Sequence, residues 1–171
     1  MPRGRRHVTQ PPRADKVAYL LDTLAAGRYQ IRVRERSFTV EQANAHVPRL
    51  QGLIGRVQRN ALQLRNERDG VATALRVEAH ALPVERLLAE RPQLRRIVED
   101  LDAAIGAITE LGVELKDVEL GLVDFPAVLD GEAVFLCWQF GEDRVRYWHR
   151  RTEGFAGRRP LRGVPPAPEL Q

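Results

Sequence analysis

Apolar residues recur along one face of the segment that begins at Phe38. Thr39 is followed three residues later by Gln42, which is the pattern of a helix capping box, and Phe38 stands at the hydrophobic staple position. A helix is therefore predicted to begin here. Pro48 removes one backbone donor, so we expect a kink or a short break just before it. The apolar positions alternate in steps of three and four, as in a heptad seam: Val40, Ala43, Val47, Leu50, Ile54, Val57, Ala61 and Leu64.

A second apolar stripe predicts another helix from about Val84 to Leu111. Arg91 interrupts the stripe, and Gly112 supplies the helix stop. The intervening segment 69–83 is either a continued helix end or a connecting loop. Two long helices joined this closely are expected to pack antiparallel as a hairpin, with a crossing angle of about 20°. Because the hairpin buries only one seam, it needs a partner, either the C-terminal part of the chain or a second copy.

After Gly112 the apolar pattern changes from helical to alternating. The segment 122–129 is predicted to be a strand, and Pro126 within it favours an edge position. Asp130 and Gly131 form a strong signal for a type I′ hairpin turn. The strand that follows divides its residues between two faces: Val134, Leu136, Trp138 and Phe140 on one, and Ala133, Phe135, Cys137 and Gln139 on the other.

A third strand is predicted from Arg144 to His149, after a turn at residues 141–143. The middle strand is apolar on both faces, so the segment 154–161 is expected to cover the face that the helices leave open. The predicted fold is α+β, with a long antiparallel helical hairpin packed against a C-terminal three-stranded antiparallel β-meander.

The chain length favours one domain with tails. Residues 1–37 are predicted to be a basic extension, partly disordered, with a short helix at 14–26. The domain spans 38–163, with the helical hairpin at 39–112 and the meander and its loop at 113–163, and residues 164–171 form a disordered tail. The sequence contains no secretory signal and no apolar run long enough to span a membrane, so we expect a cytoplasmic protein.

Charge is distributed unevenly along the chain, although the formal total is +4. Residues 1–36 carry nine basic side chains against three acidic ones, residues 37–142 carry 11 against 17, and residues 143–163 carry seven against two. Basic ends of this kind can attract nucleic acid or another polyanion. The sequence contains no zinc knuckle, stacking motif or helix-turn-helix, so a plain solvated basic tail is the favoured interpretation.

Three stretches resemble the bacterial family known as domain of unknown function 2203. They are FTVEQANAHVPRL near the start of the first predicted helix, KDVELGLVDFPAVLDGEAVFLCWQFGE in the meander, and YWHRRTEGFAGRRPL at its end. The resemblance spans about residues 38–161 and is most specific in the C-terminal half. It implies a bacterial intracellular origin and supports the domain boundaries. The family has no assigned activity, so the resemblance implies no catalytic residues and no cofactor.

Polar side chains that could form a site are concentrated around the meander. Carboxylates beside a histidine can bind a divalent metal or act as an acid and base pair, but the spacing here matches no ligand motif, and no metal is predicted. A hydrogen bond from His149 to a carboxylate, with a structural role, is the favoured interpretation. The candidate ligand-binding residues are Asp124, Glu142, Trp148, His149, Glu153, Arg158 and Arg159.

Each of the other notable side chains has a structural and a functional interpretation. Arg158 and Arg159 can clamp an anionic ligand, but an internal ion pair with Asp124 or Glu142 is favoured. The Trp148 ring can form the floor of a ligand pocket. Cys137, the single cysteine, is expected to be a buried, inert thiol.

Three functional hypotheses remain open from the sequence. No catalytic motif is present, so the leading hypothesis is a non-enzymatic interaction or scaffold protein that self-associates through the helical seam. The second is a small-ligand-binding protein or an enzyme with a site in the meander. The third is polyanion binding through the basic termini.

Overall fold

The first long helix, α1, spans Val40–Leu75 and begins where the sequence predicts. The structure, a computed structural model, describes residues 36–165. The capping box is present: the Thr39 hydroxyl accepts a hydrogen bond from the Gln42 backbone, and the Gln42 side chain accepts one from the Thr39 backbone. The predicted short helix at 14–26 lies outside the described residues. None of the described helices is both long and apolar enough to cross a membrane.

Of the two outcomes predicted at Pro48, a kink or a short break, the break is absent, because α1 continues through that residue. A proline inside a helix removes one hydrogen bond and opposes the packing of the preceding turn. Here the neighbouring residues Val47 and Leu50 are buried in the core, and this burial holds the turn in place. Tertiary packing therefore outweighs the local effect of the proline.

The second predicted helix is divided into two. Helix α2 spans Val84–Glu90, a short turn follows at Pro92–Leu94, and helix α3 spans Arg95–Glu110. Pro92 explains the division, since a proline disfavours helical backbone in the residue before it, and Arg91 has φ −137° and ψ 71°. The prediction of one continuous helix from Val84 to Leu111 is therefore wrong in detail.

Helices α1 and α3 pack side by side with opposite directions. Asp100 on α3 receives hydrogen bonds from Arg56 and from Asn60, the latter at 2.7 Å, whereas Glu67, further along α1, lies 3.6 Å from Arg91, which precedes α3. Residues later in α1 therefore contact residues earlier in the segment that contains α3, which is the antiparallel arrangement expected of a hairpin. The seam residues from Ala43 to Leu64 are buried within this single chain.

The C-terminal half forms one antiparallel sheet of five strands in sequence order, not a meander of three. The two additional strands lie at the edges. Both are short, and neither contains the run of alternating residues by which strands are predicted. The bounds are β1 Glu114–Asp117, β2 Leu122–Leu129, β3 Glu132–Gln139, β4 Tyr147–Arg150 and β5 Arg159–Pro160.

Strand β2 has the predicted bounds but not the predicted edge position, since it lies between β1 and β3. Pro126 is tolerated inside the sheet because β1 pairs only with residues 122–124 of β2. Beyond residue 124, β1 no longer pairs with this side of β2. There the Pro126 carbonyl accepts a hydrogen bond from the Phe38 amide at 2.8 Å. Pro126 therefore sits where no neighbouring strand requires its missing donor.

The two faces of β3 have the predicted separation. Val134, Leu136 and Trp138 belong to the hydrophobic core shared with the helices. The hairpin turn between β2 and β3 is confirmed, with positive φ at both Asp130 and Gly131. The third predicted strand, Arg144 to His149, is displaced: β4 begins at Tyr147, and the preceding residues form an irregular connection.

Candidate functional site

A cavity of about 240 Å³ lies on the side of the sheet that faces away from the helices. Three buried side chains form part of its inner wall: Asp124 on β2, Cys137 on β3 and His149 on β4. Asp124 and Cys137 are direct cross-strand partners, and His149 is paired with Phe135, two residues before Cys137. Alternation along neighbouring strands therefore brings the three to one face.

Asp124 and His149 are in direct contact. The distance from Asp124 Oδ2 to His149 Nε2 is 3.2 Å, and both side chains are almost fully buried. Burial alone lowers the pKa of His149, but hydrogen bonds with Asp124 and with the Arg150 carbonyl, together with the Asp124 charge, raise it above its usual value. The predicted hydrogen bond between this histidine and a carboxylate is present.

Cys137 is the third polar group on this wall, and the prediction of the site did not include it. Its burial raises the pKa of the thiol, and the neighbouring Asp124 carboxylate raises it further. The ligand-type atoms of Asp124, Cys137 and His149 all lie within 4.8 Å of one another. Counting outward from the two-residue turn at 130–131 places Cys137 opposite Asp124, so the sequence does contain a signal for this pair.

The Phe135 ring forms an apolar wall beside these groups and is surrounded by positive or polar side chains. Lys116 Nζ lies 4.7 Å from the ring centroid, the Arg151 guanidinium carbon 5.2 Å, and the His149 ring 5.6 Å. Lys116 is itself neutralised, since its Nζ is 2.6 Å from Glu114 Oε2 and 3.9 Å from Asp124 Oδ2. Burial and cation–π contact thus hold Phe135 in the cavity wall.

The mouth of the cavity is formed by the segment that follows β4. Arg151, Gly154 and Phe155 are exposed there, and Glu153 is half-buried. Glu153 is held by Arg159 at 2.8 Å, and that hydrogen bond, with one from the Arg150 backbone, lowers the pKa of Glu153. Within the part of the chain that the structure describes, no carboxylate forms an ion pair with Arg151.

The structure divides the seven predicted site residues into two groups. Asp124, His149 and Glu153 line the cavity. The other four hold the C-terminal segment against the sheet and do not line it. In this second group Arg158 is 2.9 Å from both Glu142 carboxylate oxygens and lies over the Tyr147 ring, while Arg159 lies over Trp148. The favoured internal pairing is present for Arg158 with Glu142, whereas Arg159 pairs with Glu153.

Comparison with known protein families matches residues 36–161 to the family described as an uncharacterized conserved protein, DUF2203. The match covers most of the chain, including both long helices and all five strands. No curated protein and no solved structure matches the chain. The cavity residues on β2, β3 and β4 and those of the loop after β4 all lie within the matched region.

Proposed function

The chain belongs to the DUF2203 family of uncharacterized conserved proteins, and for this member we propose that the cavity on the outer face of the sheet binds a small anionic molecule. The proposal rests on the ion pairing of the charged side chains around the cavity. Lys116 is paired with Glu114, Asp124 with His149, and Glu153 with Arg159. Among the described residues that line the cavity, Arg151 is the charged side chain without an ion-pair partner.

Arg151 is suited to hold an anion at the mouth of the cavity. A guanidinium presents several donors in a rigid fork that matches a carboxylate or phosphate. The side chain is exposed, and its guanidinium lies over the Phe135 ring, which limits its motion without using its in-plane donors. An anion bound here would therefore supply the charge that the protein does not.

The walls of the cavity define the rest of the ligand. Phe135 and Leu122 are apolar and buried, and Phe155 adds an exposed ring at the mouth. Sites for drug-sized ligands occupy about 300–1,000 Å³, so a cavity of about 240 Å³ suits a small metabolite. We infer a ligand with an apolar or aromatic body and one anionic group.

A direct test is thermal denaturation and calorimetric titration of the full chain with acetate, benzoate, inorganic phosphate and phenyl phosphate. We expect benzoate and phenyl phosphate to bind more tightly than acetate and phosphate, because their rings can contact Phe135 and Phe155. Arg151→Gln should weaken binding by about tenfold or more, because a charged hydrogen bond contributes about 1.5–3 kcal/mol. Phe155→Glu should also weaken it, since it places a negative charge at the mouth.

Arg144→Gln is the matched control, because Arg144 is also exposed in the C-terminal half but does not line the cavity. This variant should bind all four compounds as the original chain does. The proposal is wrong if none of the compounds binds at millimolar concentration, or if Arg151→Gln and Phe155→Glu bind them as tightly as the original chain.

Self-association through the helical seam stays a prediction, and it receives less support than the cavity. The residues that suggested it, from Ala43 to Leu64, are buried within one chain. A second copy could reach them only if α1 moved away from the rest of the domain. Light scattering tests the hypothesis: a strict monomer at high protein concentration would exclude a scaffold of this kind.

Polyanion binding by the basic ends also stays a prediction, and most of the N-terminal basic residues lie outside the described range 36–165. Binding that depends on phosphate neutralisation must weaken steeply as salt rises. Affinity for nucleic acid that is absent at low salt, or unchanged at high salt, would exclude this function.

A further inference from the structure

The hydrogen-bond partners of His149 determine which of its two ring nitrogens carries a proton. His149 Nδ1 lies 2.9 Å from the Arg150 carbonyl oxygen, which can only accept a hydrogen bond, so Nδ1 carries a proton. In the neutral ring the other nitrogen, Nε2, then presents a lone pair. That lone pair faces the Asp124 carboxylate oxygen at 3.2 Å. Two acceptors at this distance require a positive charge between them, which is either a proton or a metal ion.

The arrangement of His149 is also the one found at metal sites. A histidine that ligates a metal usually donates its other ring N–H to a backbone carbonyl or a carboxylate, which fixes the ring and its tautomer. The Arg150 carbonyl supplies that second contact. His149 therefore has its ligating nitrogen directed at the cluster and its remaining nitrogen already satisfied.

Cys137 completes a set of three ligands from three adjacent strands. Zinc bound by nitrogen, oxygen and sulfur at about 2.0–2.3 Å in a tetrahedron separates its ligand atoms by about 3.3–3.8 Å. The corresponding atoms of Asp124, Cys137 and His149 all lie within 4.8 Å of one another, so small side-chain adjustments would bring them to that geometry. The sheet holds all three backbones in register, which limits the cost of the adjustment.

Charge and chemical softness decide which ion the set would select. A carboxylate and a thiolate together balance the two positive charges of a divalent cation, which matters because all three residues are buried. A thiolate with an imidazole favours zinc and similar transition metals, whereas magnesium and calcium require oxygen ligands. Coordination would convert the neutral Cys137 thiol into the thiolate.

We propose that Asp124, Cys137 and His149 bind a divalent transition-metal ion of the zinc type on the inner wall of the cavity. Three protein ligands leave a fourth position open, as in catalytic rather than structural zinc sites. Since all three residues line the cavity, that position faces it. The inference builds on the proposed function, because the ion would provide the inner contact for the anionic ligand that Arg151 holds at the mouth.

The test uses the full chain without an affinity tag, freed of metal by a chelator. Calorimetric titration with Zn²⁺ should give a stoichiometry of about one, and the bound ion should raise the thermal midpoint. Titration with Co²⁺ should produce a thiolate-to-metal charge-transfer absorption that saturates at about one equivalent. Mg²⁺ should bind at least about 100-fold more weakly than Zn²⁺, because the site offers sulfur and nitrogen.

Variants connect the binding to the three residues. Cys137→Ser, His149→Gln and Asp124→Asn should each weaken Zn²⁺ binding by about 100-fold or more, since loss of a supporting contact alone costs about 10–100-fold. His80→Gln and Asp130→Asn, both exposed and outside the cavity, are the matched controls and should bind Zn²⁺ as the original chain does. If a variant does not fold, the Co²⁺ absorption of the original chain decides.

Absence of Zn²⁺ uptake, absence of the charge-transfer absorption, or unchanged affinity in the Cys137 and His149 variants would overturn the metal proposal. Its failure can be told apart from failure of the proposed function. If only the metal proposal is wrong, the metal-free chain still binds benzoate or phenyl phosphate in a way that depends on Arg151. If only anion binding is wrong, Zn²⁺ still binds and the Arg151→Gln variant leaves its affinity unchanged.

Discussion

At the scale of single residues, Arg158 connects the last segment of the domain to the sheet. It donates to both Glu142 carboxylate oxygens at 2.9 Å and contacts the rings of Tyr147 and Phe155. Glu142 in turn accepts from the Gln139 backbone amide at 2.9 Å. A partly buried guanidinium with a carboxylate partner and two aromatic contacts stabilises the segment that forms the mouth of the cavity.

We expect Arg158→Ala to lower the free energy of unfolding by about 2–3 kcal/mol, because it removes a charged hydrogen bond and leaves the Glu142 carboxylate without that partner. Urea denaturation measures the effect. Arg144→Ala is the control: Arg144 is exposed and pairs with Asp143, so its loss should cost less than about 0.5 kcal/mol. Equal losses in the two variants would contradict this account of Arg158.

Gly121 is a second residue whose identity the structure requires. It has φ +62°, and a Cβ there would lie 2.5 Å from Phe140 Cβ and 2.8 Å from Ile54 Cγ2. We expect Gly121→Ala to destabilise the fold by about 2–4 kcal/mol through strain and overpacking. Gly131→Ala, with φ +81° and no atom within 4 Å of the added Cβ, should cost only about 1–2 kcal/mol. Thermal or urea denaturation of the pair separates the contact from the backbone effect.

At the scale of elements, α1 is the support on which the sheet is assembled. Its side chains satisfy backbone groups that the strands leave open: Asn44 Oδ1 accepts from the Val145 amide at 2.8 Å, and Gln58 donates to the Val118 carbonyl at 3.1 Å. These contacts explain why the connections before β2 and β4 keep a defined shape without regular pairing.

The capping box makes a prediction about α1 itself. Thr39→Ala should lower the free energy of unfolding by about 1 kcal/mol, because the first turn loses its side-chain acceptor. Thr39→Asp keeps an acceptor at the same position and should stay within about 0.5 kcal/mol of the original chain. Urea denaturation compares the two, and an alanine variant as stable as the aspartate variant would show that the cap contributes nothing.

At the scale of the whole molecule, the domain should lose stability in acid through at least one identified pair. Arg146 is buried, donates to Asp143, and also donates from Nε to the Pro165 carbonyl at 3.0 Å. The hydrogen bond from Arg146 lowers the pKa of Asp143 from 3.8 to about 2. Because the folded-state pKa is the lower one, this contribution is complete above the unfolded value and disappears as the pH falls toward 2.

Asp143→Asn should therefore destabilise the protein near pH 6 and have little effect near pH 2. Urea denaturation at pH 6, 3 and 2 measures the difference between the variant and the original chain at each pH. Arg146→Met is the matched background: without that guanidinium the Asp143→Asn difference should change much less with pH, because only the weaker contact of Asp143 with Arg144 remains. If Asp143→Asn changes the free energy of unfolding of the original chain equally at every pH, the Asp143–Arg146 pair is not a source of the acid sensitivity.

Local patterns determined a large part of the fold. The cap at Thr39, the turn at 130–131 and the two faces of β3 each depend on residues adjacent in the chain, so the sequence could predict them. The same turn also determines that Asp124 faces Cys137, because cross-strand partners lie at equal distances from a two-residue loop. That part of the site was available from the sequence.

Only the tertiary structure decided the rest. Pro48 stays helical because the residues around it are buried in the core. Pro126 stays inside the sheet because the pairing of β1 with β2 ends before it. Neither fact can be read from the local sequence pattern. The connection from β3 to β4 is irregular, so its register, and with it the place of His149 beside Asp124, depends on contacts with α1 and the C-terminal segment. The sequence thus determined the elements and the first pair of the site, whereas packing between distant segments brought the third residue to them.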